Sequence, residues 1–118
     1  MTQWKVYSYD KCDTCRKALK YLDRQGVSYQ KVDVTKQPPT MAELQAMLKA
    51  VGDLKKLFNT SGAAYREGKL AEKLPNLSSA EALSLLYQNG RLVKRPFALF
   101  TGGGLVGFKE VEWEKAIV

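Results

Sequence analysis

The sequence predicts an α/β fold, a four-stranded mixed sheet with helices on both faces. Two observations lead to this prediction. Residues 4–34 alternate between strand, helix and strand patterns, and residues 97–117 show a hairpin pattern followed by a helix. A mainly helical stretch over about 36–92 separates them. The predicted order is therefore β-α-β, a helical insertion, then β-β-α, in one domain over residues 1–118.

The first unit is a βαβ pattern. Residues 4–9, WKVYSY, alternate with β-branched and aromatic residues, and residues 27–34 give a second strand pattern. Between them the apolar residues fall at i, i+3, i+4 and i+7, the spacing of one helix face: Cys15, Ala18, Leu19 and Leu22. Gly26 stands where a glycine ends a helix. Two strands joined by a helix in this way form a parallel pair.

The insertion is predicted from capping residues. Thr40 with Glu43, and Ser78 with Glu81, have the spacing of capping boxes and each precede an apolar helical stripe. Residues 53–77 between these helices predict a short helix and turns.

The final unit is predicted to be a hairpin and a helix. Strand patterns at 97–100 and 105–107 flank Thr101, Gly102, Gly103 and Gly104, which we interpret as the turn. An amphipathic helix follows over about 111–117.

Charge and composition restrict the class of protein. Nineteen basic and twelve acidic residues give a net charge of +7, with the densest basic clusters at 55–57 and 94–96. This surface fits either a charged macromolecular partner or small anions. No apolar run reaches the roughly 18–20 residues that span a bilayer. The start, MTQWKVYSYD, lacks the regions of a secretory signal. We expect a cytoplasmic protein that binds neither membranes nor nucleic acid directly.

Both cysteines lie in the stretch DKCDTCRK, residues 10–17, and the chain has no histidine. Structural zinc usually needs four Cys or His ligands, so we expect no metal site. The absence of histidine also excludes Cys-His and Ser-His-Asp catalysis. A purely structural role fits Cys15, which lies on the apolar stripe, but it fits Cys12 poorly because that residue lies in a polar stretch.

A redox couple accounts for both cysteines. Cys12 lies where the first helix begins, and the unpaired N–H groups there favour a thiolate, as do Lys11, Arg16 and Lys17. The carboxylate of Asp13 opposes it. Cys15, one helical turn further on, can close a disulfide with Cys12. The pattern favours Cys12 as the nucleophile and Cys15 as the resolving thiol.

Arg95-Pro96, just before the third strand, is a second candidate element. The predicted order of elements is the thioredoxin plan with an insertion, and there Pro96 would be cis, would face the cysteine pair and would shape the substrate groove. Arg95 could then bind an oxyanion or an acidic thiol substrate. The alternative is a proline that starts a strand beside a surface arginine.

Several segments together resemble the bacterial arsenate-reductase-like (ArsC) family, which includes the Spx/MgsR regulators. They are, in chain order, Cys12-x-x-Cys15-Arg16-Lys17, residues 57–62, Tyr65-Arg66, Lys94-Arg95-Pro96 and residues 106–109. The resemblance implies a thioredoxin-like fold and thiol-dependent reduction. It also implies an external thiol donor, glutathione with glutaredoxin or a thioredoxin, and no bound cofactor.

The resemblance also concerns substrate binding. In the family's arsenate reductases three arginines hold the oxyanion; Arg95 matches one, while residues 58–60 and 106–108 supply no arginine for the other two. The arsenate reductases lack a cysteine matching Cys15, so the chain resembles the CxxC-bearing members.

Three functional hypotheses follow. In the first, Cys12 attacks a disulfide or an oxyanion such as arsenate, Cys15 resolves the adduct, and Arg95 and Arg16 hold a small anionic or thiol substrate. In the second, the same disulfide is the redox switch of an Spx-type regulator that binds the RNA polymerase α subunit. The third is a family member that has kept the fold and lost its specific substrate.

Overall fold

The structure, a computed structural model, describes residues 3–117. Its sheet has four strands, β1 (Trp4–Ser8), β2 (Tyr29–Asp33), β3 (Phe97–Phe100) and β4 (Gly103–Val106). Their order in the sheet is β2-β1-β3-β4. The strands β1 and β2 pair in parallel, and β1–β3 and β3–β4 pair antiparallel. The predicted α/β fold with a four-stranded mixed sheet is therefore confirmed.

The described part of the chain contains six α-helices and three 3₁₀ turns, and none of its helices has the length and apolarity needed to cross a bilayer. The 3₁₀ turns are Leu54–Leu57, Leu74–Asn76 and Gly90–Leu92. The helices are α1 (Asp13–Arg24), α2 (Met41–Val51), α3 (Ala63–Glu67), α4 (Leu70–Lys73), α5 (Ser79–Gln88) and α6 (Glu110–Ile117).

The sheet separates two apolar clusters, because successive side chains of a strand point to opposite faces. On one face, α1 and α6 pack over β1 and β3; the buried residues of this cluster are Trp4, Val6, Ala18, Tyr21, Leu22, Ala98 and Trp113. On the other face, Tyr7 and Phe97 lie among residues of the helical insertion, including Leu44 and Met47 of α2. Helices therefore cover both faces, as predicted.

The helix ends follow the sequence signals. Thr40 and Ser78 each form a complete capping box with a glutamate three residues later, and such a cap contributes about 1 kcal/mol. After α1, Gly26 adopts a φ of +69°, and the N–H of Val27 donates to the carbonyl oxygen of Leu22 at 3.0 Å. That bond belongs to the Schellman motif, in which glycine readily takes the left-handed conformation.

The hairpin differs from its prediction. Only Thr101 and Gly102 form the turn, whereas Gly103 and Gly104 belong to β4, and β4 ends at Val106 rather than at Gly107. The reason lies in packing: a Cβ on Gly104 would come within 2.7 Å of the Met47 sulfur. This glycine is therefore explained by the close approach of α2 to the strand.

The segment 53–77, predicted as a short helix and turns, contains the two short helices α3 and α4 and two of the 3₁₀ turns. Its start is tied to the chain just before β3. The N–H of Lys94 donates to the Leu57 carbonyl at 2.8 Å, and Asn59 donates to Leu92 at 2.7 Å. These bonds place the 3₁₀ turn Leu54–Leu57 beside the residues that precede Pro96.

Candidate active site

Cys12 is the N-cap residue of α1, immediately after the loop that follows β1. Its backbone is extended, and its Sγ accepts a hydrogen bond from the N–H of Cys15 at 3.3 Å. A sulfur thus takes the place of the side-chain oxygen that usually caps a helix. We call residues 9–16, which hold this sulfur, the thiol turn.

Cys15 occupies a different environment one turn into the helix. It is 1% exposed, and both cysteines are free thiols in this structure. Burial, followed by the hydrogen bond to Cys12, raises the pKa of the Cys15 thiol to about 12. At neutral pH this sulfur therefore keeps its proton.

The pKa of the Cys12 thiol moves the other way. Partial burial favours the neutral thiol, but hydrogen bonds from the thiol and the N–H of Cys15, with the charge and hydrogen bond of Arg95, outweigh it. The pKa of Cys12 is consequently below its ordinary value. The two sulfurs are thus a low-pKa, partly exposed thiol next to a buried, protonated one.

Arg95 lies near this thiol in the structure, although it is far from Cys12 in the sequence. Its guanidinium lies 4.9 Å from the ring centroid of Tyr9, a cation–π contact that holds the side chain beside the thiol turn. The Arg95–Pro96 peptide bond is cis, as predicted, and Pro96 is buried. The sequence reasoning missed Tyr9, although an aromatic residue between β1 and the first cysteine was a signal for a contact at this site.

Arg16 is placed differently from Arg95. It is exposed, and it donates to the Asp13 carboxylate and, at 2.7 Å, to the Asp10 carbonyl oxygen. Arg16 is therefore engaged within the thiol turn, and the carboxylate expected to oppose the Cys12 thiolate is paired with a cation. The i, i+3 spacing of Asp13 and Arg16 was the sequence signal for this pair.

A groove of about 790 Å³ adjoins the thiol turn. Its lining includes Thr14 and Arg95, and its apolar lining residues include Val51, Phe58 and Val106. We call it the basic groove, because five cations line it against the two carboxylates of Asp53 and Glu112; the cations are Lys55, Lys56, Lys94, Arg95 and Lys109. The two dense basic clusters of the sequence thus meet here, and Lys109 joins them.

Side chains at residues 58–60 and 106–108, where the sequence supplies no oxyanion-binding arginine, make packing contacts instead. The Asn59 side chain lies against Gly62, where an added Cβ would come within 2.7 Å of its amide nitrogen. The Phe108 ring packs edge-on against Trp113, with centroids 5.2 Å apart. Neither position offers a cation to an oxyanion.

The described residues contain no cluster of three or more cysteine or carboxylate side chains that could hold a metal ion. The chemistry that these side chains offer is that of the two thiols and the cations around them.

The sequence model of the ArsC family matches residues 7–116 of the chain. The uncharacterized protein YusI of Bacillus subtilis is 46% identical over 110 residues, which cover 92% of this chain and 93% of YusI. Among solved structures, one described as an ArsC family related protein, from Bacteroides fragilis, superposes with a TM-score of 0.88 at 43% identity and covers 97% of this chain and 95% of that one.

Two relatives carry functional names. An arsenate reductase of Rhizobium meliloti is 30% identical over 95 residues, 80% of this chain and 66% of that protein. The global transcriptional regulator Spx 2 of Oceanobacillus iheyensis is 28% identical over 100 residues, 84% of this chain and 73% of the regulator.

Proposed function

The chain belongs to the ArsC family, and from that premise we propose that it is a thiol-dependent reductase that uses Cys12 and Cys15 as a dithiol–disulfide couple. The observation that carries the proposal is the asymmetry of the two sulfurs. Cys12 is partly exposed with a lowered pKa, and Cys15 is buried with a raised pKa. A couple of this kind has a defined attacking thiol and a defined resolving thiol.

The reaction proceeds in two displacements. The Cys12 thiolate attacks one sulfur of a substrate disulfide, forms a mixed disulfide and releases the other substrate sulfur as a thiolate, which takes up a proton. Cys15 then gives up its proton and attacks the Cys12 sulfur, which frees the second substrate thiol. The substrate gains two electrons and two protons, and the protein is left with a Cys12–Cys15 disulfide.

The raised pKa of Cys15 assists the order of these steps. While Cys12 is a thiolate, its charge and the buried site keep Cys15 protonated and out of competition. Once Cys12 is in the mixed disulfide that charge is gone, so the proton of Cys15 is easier to remove.

A disulfide suits this site better than arsenate does. Arg95 alone remains of the three arginines by which the family's arsenate reductases hold the oxyanion, since Asn59 and Phe108 have packing roles. Arg95, held on Tyr9, would bind the anionic part of a thiol substrate beside Cys12. Arg16 would contribute only after leaving Asp13.

An external thiol system would complete the cycle by reducing the Cys12–Cys15 disulfide. Glutathione with glutaredoxin, or a thioredoxin, is the class of donor that we expect, with no cofactor bound to the chain. Such a cycle operates in a reducing compartment, and the cytoplasm is therefore the expected location.

The test is turnover of purified protein with either donor system, on a model disulfide and on arsenate. We expect disulfide reduction, its loss in Cys12→Ser, and accumulation of a mixed disulfide on Cys12 in Cys15→Ser, seen by mass spectrometry. If Cys12→Ser keeps full activity, or if wild-type protein reduces neither substrate with any donor, the proposal is wrong.

The match to Spx 2 supports a second candidate, in which the disulfide controls docking to the RNA polymerase α subunit. Two binding experiments distinguish the reductase from the regulator. Immobilised Cys15→Ser protein traps thiol substrates or donor proteins covalently if the chain is a reductase. If it is a regulator, purified α subunit binds wild-type protein in one redox state only.

A further inference from the structure

We propose that the basic groove binds an extended acidic segment of a protein disulfide substrate, next to the disulfide that Cys12 attacks. This inference names the substrate class of the reductase proposed above and rests on that function. Three observations carry it: the unpaired cations of the groove, the edge strand along it, and its connection to Cys12 through Arg95.

The cations of the groove have no carboxylate partners within residues 3–117. Four ion pairs occur there, and they involve Lys5, Arg16, Arg24 and Lys31. None of the five groove cations is within 4 Å of a described carboxylate oxygen, although Asp53 and Glu112 line the same groove. Asp53 instead caps the 3₁₀ turn by accepting from the N–H of Lys55. The groove therefore has an excess of positive charge available to an anionic ligand.

The fold holds these cations together. Lys55 and Lys56 lie on the 3₁₀ turn whose last residue accepts from the N–H of Lys94. The Lys94 stem lies against Gly107, where an added Cβ would come within 3.3 Å of Lys94 Cε. Clusters separated in the sequence are thus fixed on one surface by backbone contacts.

The shape of the groove favours an extended chain over a single oxyanion. β4 is an edge strand of the sheet, with β3 on one side and no strand of the described chain on the other. The run Gly104 to Lys109, which includes the last three residues of this edge strand, lines the groove together with the end of α2. About 790 Å³ is far more space than one tetrahedral oxyanion fills, and an exposed strand edge can receive an extended peptide.

Arg95 connects the groove to the chemistry. It lines the groove, its guanidinium lies 4.9 Å from the ring centroid of Tyr9 in the thiol turn, and its charge lowers the pKa of the Cys12 thiol. A bound segment therefore has its cysteine near Cys12 and its flanking carboxylates among the lysines. Electrostatic attraction of this kind acts mainly on the association rate and weakens as salt rises.

Disulfide-linked dimers of a short blocked peptide test the proposal. In one peptide the cysteine is flanked on both sides by glutamates, and in the matched peptide by glutamines. The measurement is the second-order rate at which reduced wild-type protein becomes oxidised in a single turnover, so no donor system is needed. We expect the acidic peptide to react roughly tenfold faster at low salt, with the ratio falling towards one at about 0.5 M salt.

Variants then assign the effect to the groove. The double variant Lys55→Gln, Lys56→Gln, and the single variants Lys94→Gln and Lys109→Gln, should each lower the ratio of acidic to neutral rates. Lys20→Gln and Lys49→Gln remove exposed lysines that do not line the groove, and they should keep the wild-type ratio.

Failure of the acidic-segment proposal and failure of the reductase proposal give different results. If both peptides react equally fast, or if glutathione disulfide reacts faster than the acidic peptide, the acidic-segment proposal is wrong and the reductase stands. If no disulfide oxidises the protein, the reductase itself is wrong. A ratio that falls equally in the Lys20→Gln control would also overturn the assignment to the groove.

Discussion

The thiol turn and the basic groove are built in opposite ways. The thiol turn is one continuous stretch, and its capping bond and its ion pair join residues three positions apart. The basic groove combines residues from the end of α2, a 3₁₀ turn, the chain before β3, β4 and the start of α6. The reactive sulfur is thus specified locally, while the surface proposed to choose its substrate depends on the whole fold. Arg95 links the two, since it contacts Tyr9 of the thiol turn and lines the groove.

The largest expected effect comes from Gly90→Ala, which places a methyl group in a tight backbone contact at the end of the helical insertion. A Cβ at this buried glycine would lie 1.7 Å from the Val34 carbonyl oxygen, and backbone cannot yield as a side chain can. We expect the free energy of unfolding, from urea denaturation, to fall by about 3 kcal/mol or more.

The matched control is Gly26→Ala, where no atom lies within 4 Å but φ is +69°. Conformational strain alone should cost about 1 kcal/mol there. Equal losses for the two variants would show that the contact with Val34 is relieved in solution.

The next largest effect is expected for Arg95→Gln, which changes the residue that links the thiol turn to the basic groove. Loss of the guanidinium should raise the pKa of Cys12 towards its ordinary value, because burial is then opposed only by the bonds from Cys15. Alkylation of Cys12 by iodoacetamide should therefore slow at pH values below that pKa and match wild type well above it.

The lowered pKa of Cys12 also makes the stability of the protein depend on pH. A lowered pKa in the folded state stabilises the protein above the unfolded thiol pKa, and this contribution is lost as pH falls through the pKa of folded Cys12. Arg95→Gln should reduce the contribution, and Arg95→Lys should retain part of it. An unchanged alkylation profile in Arg95→Gln would remove Arg95 from the site.

A smaller effect on stability and on the pKa of Cys12 is expected when Arg95 is kept and the Tyr9 ring that contacts it is removed. Tyr9→Ala removes the ring beneath the guanidinium and should cost about 0.5–1 kcal/mol of stability. It should also raise the pKa of Cys12 by less than Arg95→Gln does. Tyr9→Phe keeps the ring and should resemble wild type in both measurements; a Tyr9→Phe variant as impaired as Tyr9→Ala would contradict a cation–π role.

The smallest effect tests how local the thiol turn is. Asp13→Asn removes the carboxylate beside Cys12 but also frees Arg16, and both groups are exposed. We expect the free energy of unfolding to change by about 0.5 kcal/mol or less. The alkylation profile should show no rise in the pKa of Cys12. A rise would mean that Asp13 supports the thiolate.

The contrast between local features and features built from distant residues also explains which parts of the structure the sequence predicts. The capping boxes at Thr40 and Ser78 and the glycine after α1 are signals within a few residues, so the corresponding helices were found with nearly the right ends. The position of Cys12 as a helix cap was predictable for the same reason.

Features that depend on distant packing were harder to predict. Four consecutive residues from Thr101 were interpreted as a turn, but Gly104 is explained by Met47, which belongs to α2 far earlier in the chain. The sequence also predicts Arg16 as a substrate ligand, and the structure adds that its guanidinium is paired with Asp13 on the same helix. The basic clusters were visible, yet only the fold places them on one groove.

The two-residue hairpin turn has a practical consequence. In the register of the sheet, Phe97 pairs with Tyr7 near the thiol end of β1, so Thr101 and Gly102 lie at the opposite end, next to Trp4. Both are exposed, but Gly102 has a φ of +90°, which favours glycine, so Thr101 is the residue to replace. A fluorophore or a surface tether attached at Thr101 would lie at the end of the sheet away from Cys12 and would leave the thiol turn open to solvent.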